Sequence, residues 1–269
     1  MKRHSLKKIL CVCQYDIKFF FRYPMNCMWL GITPLIYIGV GALMLTVMGI
    51  DRFTDFTGGA TDSGIYAAIG YAVFSLSNYA WQISGKVERE MLMGTAKMNL
   101  LLPMRPSDYI YGLSLSNSFS TGLIAIIILA ICTIIAAPAP DMLLKALGFL
   151  ALAMLYYFGI SLIMASAALR YKSISGMANI LTFALQVLTG LILPIRLMPG
   201  ALRTLSYALP TTWAIDSIRS SILGVEPLAG HNVEFFIMLG AALFTNIVGN
   251  RLLNAACKYV RSNGLMDAF

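Results

Sequence analysis

Apolar residues occur along this chain in long runs that contain no Asp, Glu, Lys or Arg. The runs are Tyr23–Ile50, Ser63–Gly85, Tyr109–Pro140, Ala146–Leu169, Ser173–Ile195 and, shorter than the others, Phe235–Asn250. A helix crosses roughly 30 Å of hydrocarbon with about 20 apolar residues, and lipid forces its backbone polar groups to bond within the segment. The pattern predicts an all-α integral membrane protein with six transmembrane helices, at 25–50, 63–85, 109–137, 146–169, 174–195 and 233–256. Glu234 and Arg251 are expected to snorkel to the two interfaces at the ends of the last span.

The composition supports lipid as the solvent of this protein. Of 269 residues, 58% are hydrophobic and only 12% are charged, and the mean hydropathy is +0.75. Soluble globular proteins have about 45–50% apolar and about 25% charged residues, and disordered chains combine low hydrophobicity with high net charge. Five Cys are sparse and odd in number, which is not typical of a disulfide scaffold. These figures exclude an ordinary soluble enzyme or binding domain.

The basic residues predict the orientation of the spans. With the N-terminus inside, 15 of the 20 Lys and Arg residues lie in the connections and ends on the cytoplasmic side. Basic residues accumulate on that side of membrane proteins. The chain is therefore expected to place both termini in the cytoplasm, and its net charge of +8 is attributed to topology rather than to nucleic-acid binding.

Three segments between the spans have a pattern of their own. The segment 5–22 carries apolar residues at helical spacing among basic ones, which predicts an amphipathic helix in the membrane interface. The segment 88–103 has a second amphipathic pattern, suited to docking a partner at the cytoplasmic surface. The segment 196–226 contains an apolar stretch with Pro210 inside that is too short to cross. It is expected to form two short re-entrant helices on the external side, buried against protein.

The sequence lacks the motifs of an enzyme. It contains neither the G-x-x-x-x-G-K-[ST] phosphate loop nor a G-x-S-x-G elbow. His4 and His231 lie near opposite ends of the chain, and Cys11 and Cys13, two positions apart, point to different faces of a helix. No catalytic residue, metal site or cofactor of the chain itself is expected. Polar residues within or near the spans are expected to form interhelical hydrogen bonds rather than to bind a ligand: Asn78, Gln82, Asn117, Asn179, Gln186 and Asn246.

Two segments resemble a known family. Glu88–Pro103 contains E-x-E-x-x-x-G-T followed by LLLP, and Leu193–Arg219 contains LP, Pro210 and then TTWAIDSIR. Together with six spans and a basic interfacial helix, they resemble the permease subunit of an ABC-2 type transporter, the membrane half of a type V, ABCG-like ATP-binding cassette exporter. The resemblance covers essentially the whole chain, 1–269, as a single transmembrane domain. It departs at Leu209, where the family often has Asn.

The resemblance implies roles for named residues. The segment 5–22 corresponds to the family's connecting helix and 88–103 to its coupling helix, which sits on the ATPase. The coupling residues are Glu88, Arg89, Glu90, Gly94 and Thr95. The helices that close the external exit carry Pro194, Pro210, Asp216 and Arg219. It also implies a separate ATPase subunit that binds ATP and Mg²⁺, a second permease chain in a homo- or heterodimer, and residence in a bacterial or archaeal cytoplasmic membrane.

The cargo and two other functional classes remain open. Because the five strong spans are uncharged, a hydrophobic or amphiphilic cargo such as a drug, antibiotic or peptide is favoured. Export of a lipid-linked glycan or of ions uses the same architecture. A self-contained six-span channel or secondary carrier would act without ATP, and carriers of that kind often show repeated halves, which are not evident here. A membrane enzyme would need a polar cluster at one membrane face.

Overall fold

The computed structural model describes residues 2–49, 54–55, 57, 62–94, 104–171, 174–191 and 194–262. The helices, numbered in chain order, are α1 (Lys2–Arg22), α2 (Pro24–Met48), α3 (Ser63–Leu92), α4 (Pro106–Ala136), α5 (Pro140–Tyr171), α6 (Ser175–Leu188), α7 (Gly200–Ala208), α8 (Pro210–Leu223) and α9 (His231–Ser262). A 3₁₀ turn, Ile195–Leu197, precedes α7. These residues contain no strand, so the all-α prediction is confirmed for the described part of the chain.

Helix α1 matches the predicted N-terminal amphipathic helix. Cys13 is buried, whereas Leu6, Leu10 and Cys11 are exposed. The buried face packs against α4. A side chain at Gly112 of α4 would place its Cβ 2.7 Å from Val12 Cβ, so the missing side chain allows the two helices to approach closely.

Helix α3 is the central element of the bundle. It contacts α2, α4, α5, α6 and α8, and Ile69, Ala72 and Val73 are fully buried. The helix runs without a break to Leu92. The predicted coupling segment 88–103 therefore begins inside α3 rather than as a separate helix, and 95–103 lie outside the described residues.

Helices α5 and α9 share the most extensive interface among the described helices. Gly159 and Gly249 lie where they cross, and a Cβ at Gly249 would meet the Gly159 carbonyl oxygen at 2.8 Å. Asn246 Nδ2 donates to the Leu155 carbonyl at 2.8 Å, and Thr245 Oγ1, which donates to the Ala241 carbonyl of its own helix at 2.9 Å, lies 3.3 Å from the Tyr156 carbonyl oxygen. In lipid the hydrophobic effect does not hold helices together. Close packing of small residues and interhelical hydrogen bonds do so instead. The interhelical bond predicted for Asn246 is confirmed, whereas Gln82 donates to Asn78 within α3 at 2.9 Å rather than to another helix.

Substituting Gly159 by Ala is expected to destabilise the α5–α9 pair. The new Cβ would lie 2.6 Å from Thr245 Oγ1 and 2.7 Å from the Asn246 backbone nitrogen, which cannot move without shifting α9. Overpacking of this kind costs about 1–3 kcal/mol, so the melting temperature in detergent should fall. Gly148→Ala on the same helix is the matched control, because nothing lies within 4 Å of its added Cβ. Equal melting temperatures for the two variants would show that the close crossing is not required.

The chain from α6 to α8 forms a short helix followed by a helical hairpin. Helix α6 covers 175–188 of the predicted span 174–195 and ends at the Thr189 cap, because Gly190 adopts a left-handed φ of 74°. Helices α7 and α8 are 9 and 14 residues long and meet at Leu209. Two short helices are thus present in the predicted segment 196–226. Their re-entry into a membrane remains a prediction.

Three of the described helices are long and apolar enough to cross a membrane. They are Pro106–Ala136, Pro140–Tyr171 and, within α9, His231–Val260. Ser, Tyr and Asn lower the mean hydropathy of α3, and α6 is too short to cross by itself. The protein is a multi-pass membrane protein, and the count of six spans stays a prediction.

Candidate functional site

A set of polar side chains joins four helices at the C-terminal end of α3. We call it the Lys86 cluster: Asp16, Lys86, Glu88, Glu90, Tyr109 and Ser175. Lys86 forms an ion pair with Asp16 of α1. Tyr109 of α4 donates its hydroxyl hydrogen to Glu90 Oε1 at 2.7 Å. The backbone N–H of Ser175, at the start of α6, donates to Glu88 Oε2 at 3.2 Å.

Helical periodicity explains why one segment reaches three neighbours. Lys86 and Glu90 are four residues apart and share a face of α3, which meets α1 and α4. Glu88 is two residues from each and projects to the opposite side, toward α6. The end of α3 is therefore bonded to α1 and α4 on one side and to α6 on the other.

The remaining predicted coupling residues lie at the rim of this cluster. Arg89 is exposed. Gly94 has a left-handed φ of 69°, and its N–H donates to the Met91 carbonyl at 3.1 Å. A glycine in this conformation after the last helical residue is a common helix terminator. Thr95 lies outside the described residues.

A cavity of about 610 Å³ opens beside the Lys86 cluster. Aromatic, amide and charged side chains line it, including Phe19, Trp81, Gln82, Arg89, Asn117 and Asn179. The Trp81 Nε1 hydrogen is buried and has no acceptor among the described residues. Mixed apolar and polar lining of this volume is typical of small-molecule pockets.

A second set of residues surrounds Arg219 of α8. We call it the Arg219 cluster: Tyr66, Gly190, Leu191, Asp216, Arg219 and Glu234. Arg219 is only 3% exposed. Its Nε donates to the Tyr66 carbonyl at 3.0 Å, and its two terminal nitrogens donate to the Gly190 carbonyl at 2.8 Å and the Leu191 carbonyl at 3.4 Å. Its guanidinium also lies 3.5 Å from the centre of the Tyr66 ring.

Gly70 of α3 makes room for this guanidinium. A Cβ at position 70 would lie 2.4 Å from Arg219 Nη2 and 3.0 Å from Leu191 Cδ1. Arg219 therefore occupies a slot formed by α3 and the chain that follows α6. Its charge lies against backbone carbonyl dipoles and an aromatic face, an arrangement that compensates a buried cation.

Two carboxyl groups, Asp216 and Glu234, meet next to Arg219. The Leu228 N–H donates to Asp216 Oδ2 at 2.8 Å. Glu234 is fully buried and accepts hydrogen bonds from the Ser217 hydroxyl and, at 3.3 Å, from the Ala229 N–H. The prediction that Glu234 snorkels to an interface is wrong, because these donors satisfy its carboxylate inside the protein.

This carboxyl pair predicts a pH dependence of stability. Burial raises the pKa of Asp216 from 3.8 to about 7; Glu234 adds to the rise, while the Leu228 N–H and Arg219 oppose it. Between about pH 4 and 7 the folded protein keeps a proton on Asp216 that the unfolded chain has lost. The free energy of unfolding is therefore highest below about pH 4 and falls as the pH rises through 7. Asp216→Asn should remove this dependence, measured as the melting temperature of both proteins between pH 4 and 8.

The control for this measurement is Asp141→Asn, which changes an exposed carboxylate paired with Lys145. The difference in melting temperature between wild type and Asp216→Asn should change across the range, while that for Asp141→Asn stays constant. A constant difference for both variants would contradict the assigned proton.

The predicted prolines mark boundaries in this region. Pro194 precedes the 3₁₀ turn, and Pro210 is the first residue of α8, where its fixed φ suits a helix start. Leu209 occupies the N-cap position of α8 and supplies no side-chain hydrogen bond. An Asn at this position would be a favoured N-cap residue.

Both clusters contain residues that the sequence did not single out as site residues. Asp16, Tyr109, Ser175 and Tyr66 join residues far apart in the chain, and no local motif marks them. Glu234 had a signal, because an acidic residue at the end of a span needs a partner. In the described residues no group of three or more His, Cys, Asp or Glu side chains could hold a metal ion.

Comparisons with known proteins identify the family. The family model described as ABC-2 type transporter matches residues 8–223 of the 269-residue chain. The matched region includes the whole Lys86 cluster and all of the Arg219 cluster except Glu234. A search of curated proteins finds no match to this sequence.

Proposed function

Because the chain belongs to the ABC-2 type transporter family, a family of non-catalytic transport permeases, we propose that it is the membrane subunit of an ATP-binding cassette exporter. A separate ATPase subunit binds ATP and Mg²⁺ and drives transport. The observation that carries this proposal is the Lys86 cluster. It ties the C-terminal end of α3 to α1, α4 and α6, in a chain whose sequence has no phosphate loop.

The cluster suggests how a soluble motor moves the membrane part. The ATPase docks on the part of the predicted coupling segment that follows Glu88, because the Glu88 carboxylate is bonded to the start of α6. Because Lys86, Glu88 and Glu90 bond to three other helices, a push on this segment displaces those helices together. ATP binding then changes the pathway from inward-facing to outward-open, and the two states must bind cargo differently.

The cavity beside the cluster supports a hydrophobic or amphiphilic cargo. Phe19 and Trp81 offer flat apolar surfaces, whereas Gln82, Asn117 and Asn179 offer donors and acceptors. A drug, antibiotic or peptide-like molecule with both kinds of surface fits this lining, and the Trp81 Nε1–H is a donor for an acceptor on that cargo.

The proposal includes a second permease chain and a defined orientation. Met177, Ile180 and Phe183 of α6 are 54–71% exposed, which suits a pathway shared between two chains. Both termini lie in the cytoplasm of a bacterial or archaeal cell, so the Lys86 cluster is cytoplasmic and the Arg219 cluster external.

The proposed function is tested by co-expressing the chain with a candidate ATPase subunit and measuring partner binding, ATP hydrolysis and export. Glu90→Lys combined with Gly94→Pro should abolish partner binding, export and the stimulated part of ATP hydrolysis, because it removes the Tyr109 bond and the helix end on which docking depends. Asp141→Lys, at an exposed position, is the charge-reversal control and should leave them intact. Binding and transport that survive the double substitution would show that docking occurs elsewhere.

A further inference from the structure

Helix α6 lacks the charged residues that usually stabilise helix ends. Its first turn has no acidic residue, its last turn has no basic residue, and Ile174 at the N-cap supplies no side-chain hydrogen bond. Unpaired N–H groups at the start of a helix favour an anion, and unpaired carbonyls at its end favour a cation. Within α6 only Ala178 is buried, so packing holds this helix weakly.

Other elements supply both charges. Glu88 Oε2 of α3 accepts the Ser175 N–H at the first residue of α6. Arg219 of α8 donates to the Gly190 and Leu191 carbonyls just after its last turn. One end of α6 is thus bound to the Lys86 cluster and the other end to the Arg219 cluster. The helix spans about 21 Å between them at 1.5 Å per residue.

We propose that Glu88 and Arg219 are positioning residues that make α6 the element transmitting motion from the ATPase-docking segment to the α7–α8 hairpin. When the end of α3 moves, Glu88 carries the start of α6 with it. Because α6 is weakly packed along its length, it moves as a rod and displaces the carbonyls that hold Arg219. The inference rests on the proposed function and adds the route by which the two ends communicate.

The test separates transmission from simple helix stabilisation. Glu88→Leu removes both the charge and the acceptor of the Ser175 N–H that hold the start of α6. Gly176→Asp then places an acidic residue in the first turn of α6 itself, at an exposed position with nothing within 4 Å of the new Cβ. The double variant restores the favourable charge at the helix end without restoring the link to α3.

The readouts are ATP hydrolysis, export and hydrogen–deuterium exchange of the α7–α8 hairpin in the complete complex, with and without ATP. For Glu88→Leu we expect ATP hydrolysis close to wild type, export reduced by about tenfold, and loss of the ATP-dependent change in hairpin exchange. The double variant should behave like Glu88→Leu. Gly176→Asp alone and Asp141→Leu, at an exposed position of α5, should behave like wild type.

Arg219→Lys tests the other end, because a lysine keeps the charge but cannot reach three carbonyls at once. Arg219→Lys should likewise leave ATP hydrolysis close to wild type and reduce export. Restored export in the double variant, or unaltered export in Glu88→Leu, would overturn the transmission role. Loss of ATPase binding in Glu88→Leu would also overturn it, because the residue would then act in docking. A wild-type complex without ATP-dependent export would instead refute the proposed function.

Discussion

Replacing Arg219 by Met is expected to lower the stability of the protein more than any other single substitution considered for this chain. Three backbone carbonyls, at Tyr66, Gly190 and Leu191, would lose their donor inside the protein. An unsatisfied buried polar group costs about 1–3 kcal/mol. The contact with the Tyr66 ring, worth about 2 kcal/mol when desolvated, would be lost as well.

The measurement is the yield and melting temperature of the variant in detergent. Arg219→Lys should be intermediate, because it retains the cation but not the planar set of donors. Arg251→Met, at an exposed position of α9, is the matched control and should be close to wild type. If Arg219→Met were as stable as Arg251→Met, the carbonyls of the Arg219 cluster would have to be satisfied in another way.

Reversing the charge at Lys86 is expected to uncouple the N-terminal helix from the rest of the protein. In Lys86→Glu a carboxylate faces Asp16, with Glu88 and Glu90 close by in sequence, so repulsion replaces an ion pair that is partly shielded from water. Breaking a buried pair costs about 3–5 kcal/mol, and the 33% exposure of the Lys86 side chain lowers the cost for this pair to about 1 kcal/mol. ATPase stimulation should fall severalfold.

The double variant Asp16→Lys with Lys86→Asp provides the decisive control, because it exchanges the partners and restores opposite charges. It should recover most of the ATPase stimulation lost in Lys86→Glu. Lys145→Glu, which disrupts an exposed pair with Asp141, should have little effect. No recovery in the exchanged pair, with normal folding, would show that Lys86 acts through something other than Asp16.

Much of the fold follows from the hydrophobic pattern. Long charge-free runs identify the helices α2, α4, α5 and α9, because lipid leaves a chain few alternatives to a helix. Amphipathic spacing identifies α1. The position of Pro210 inside a short apolar stretch correctly predicts two short helices, since proline begins the second one.

Hydropathy fails where a backbone break interrupts an apolar run. The apolar run that contains α6 continues to Ile195, but the helix ends at Leu188 because Gly190 takes a left-handed conformation. Thr189–Gly190 is a signal that local reading could have used. At the end of α3 the charged residues suggest a break that the backbone does not have. Glu88 and Glu90 look like the start of a separate surface helix, but they continue α3 to Leu92.

The candidate site was predicted only in its local part. The motif at 88–95 identifies the segment but not its partners. Asp16 is 70 residues from Lys86, Tyr109 is 19 from Glu90 and Ser175 is 87 from Glu88. Contacts of that range depend on how helices pack. The two ends of α6 show the same dependence, since the missing charges in its own sequence are supplied by α3 and α8.

The central claim is that this chain forms a transport pathway that moves cargo only when an ATPase subunit is bound and hydrolyses ATP. The most direct test is uptake of a fluorescent amphiphile into proteoliposomes in which the ATPase side faces outward. With the purified chain alone, uptake should equal that of protein-free vesicles; with the ATPase subunit and Mg·ATP it should rise, and a non-hydrolysable nucleotide should abolish sustained uptake. Equal uptake by the chain alone and by the complete complex with ATP would contradict the account and identify a self-contained channel or carrier.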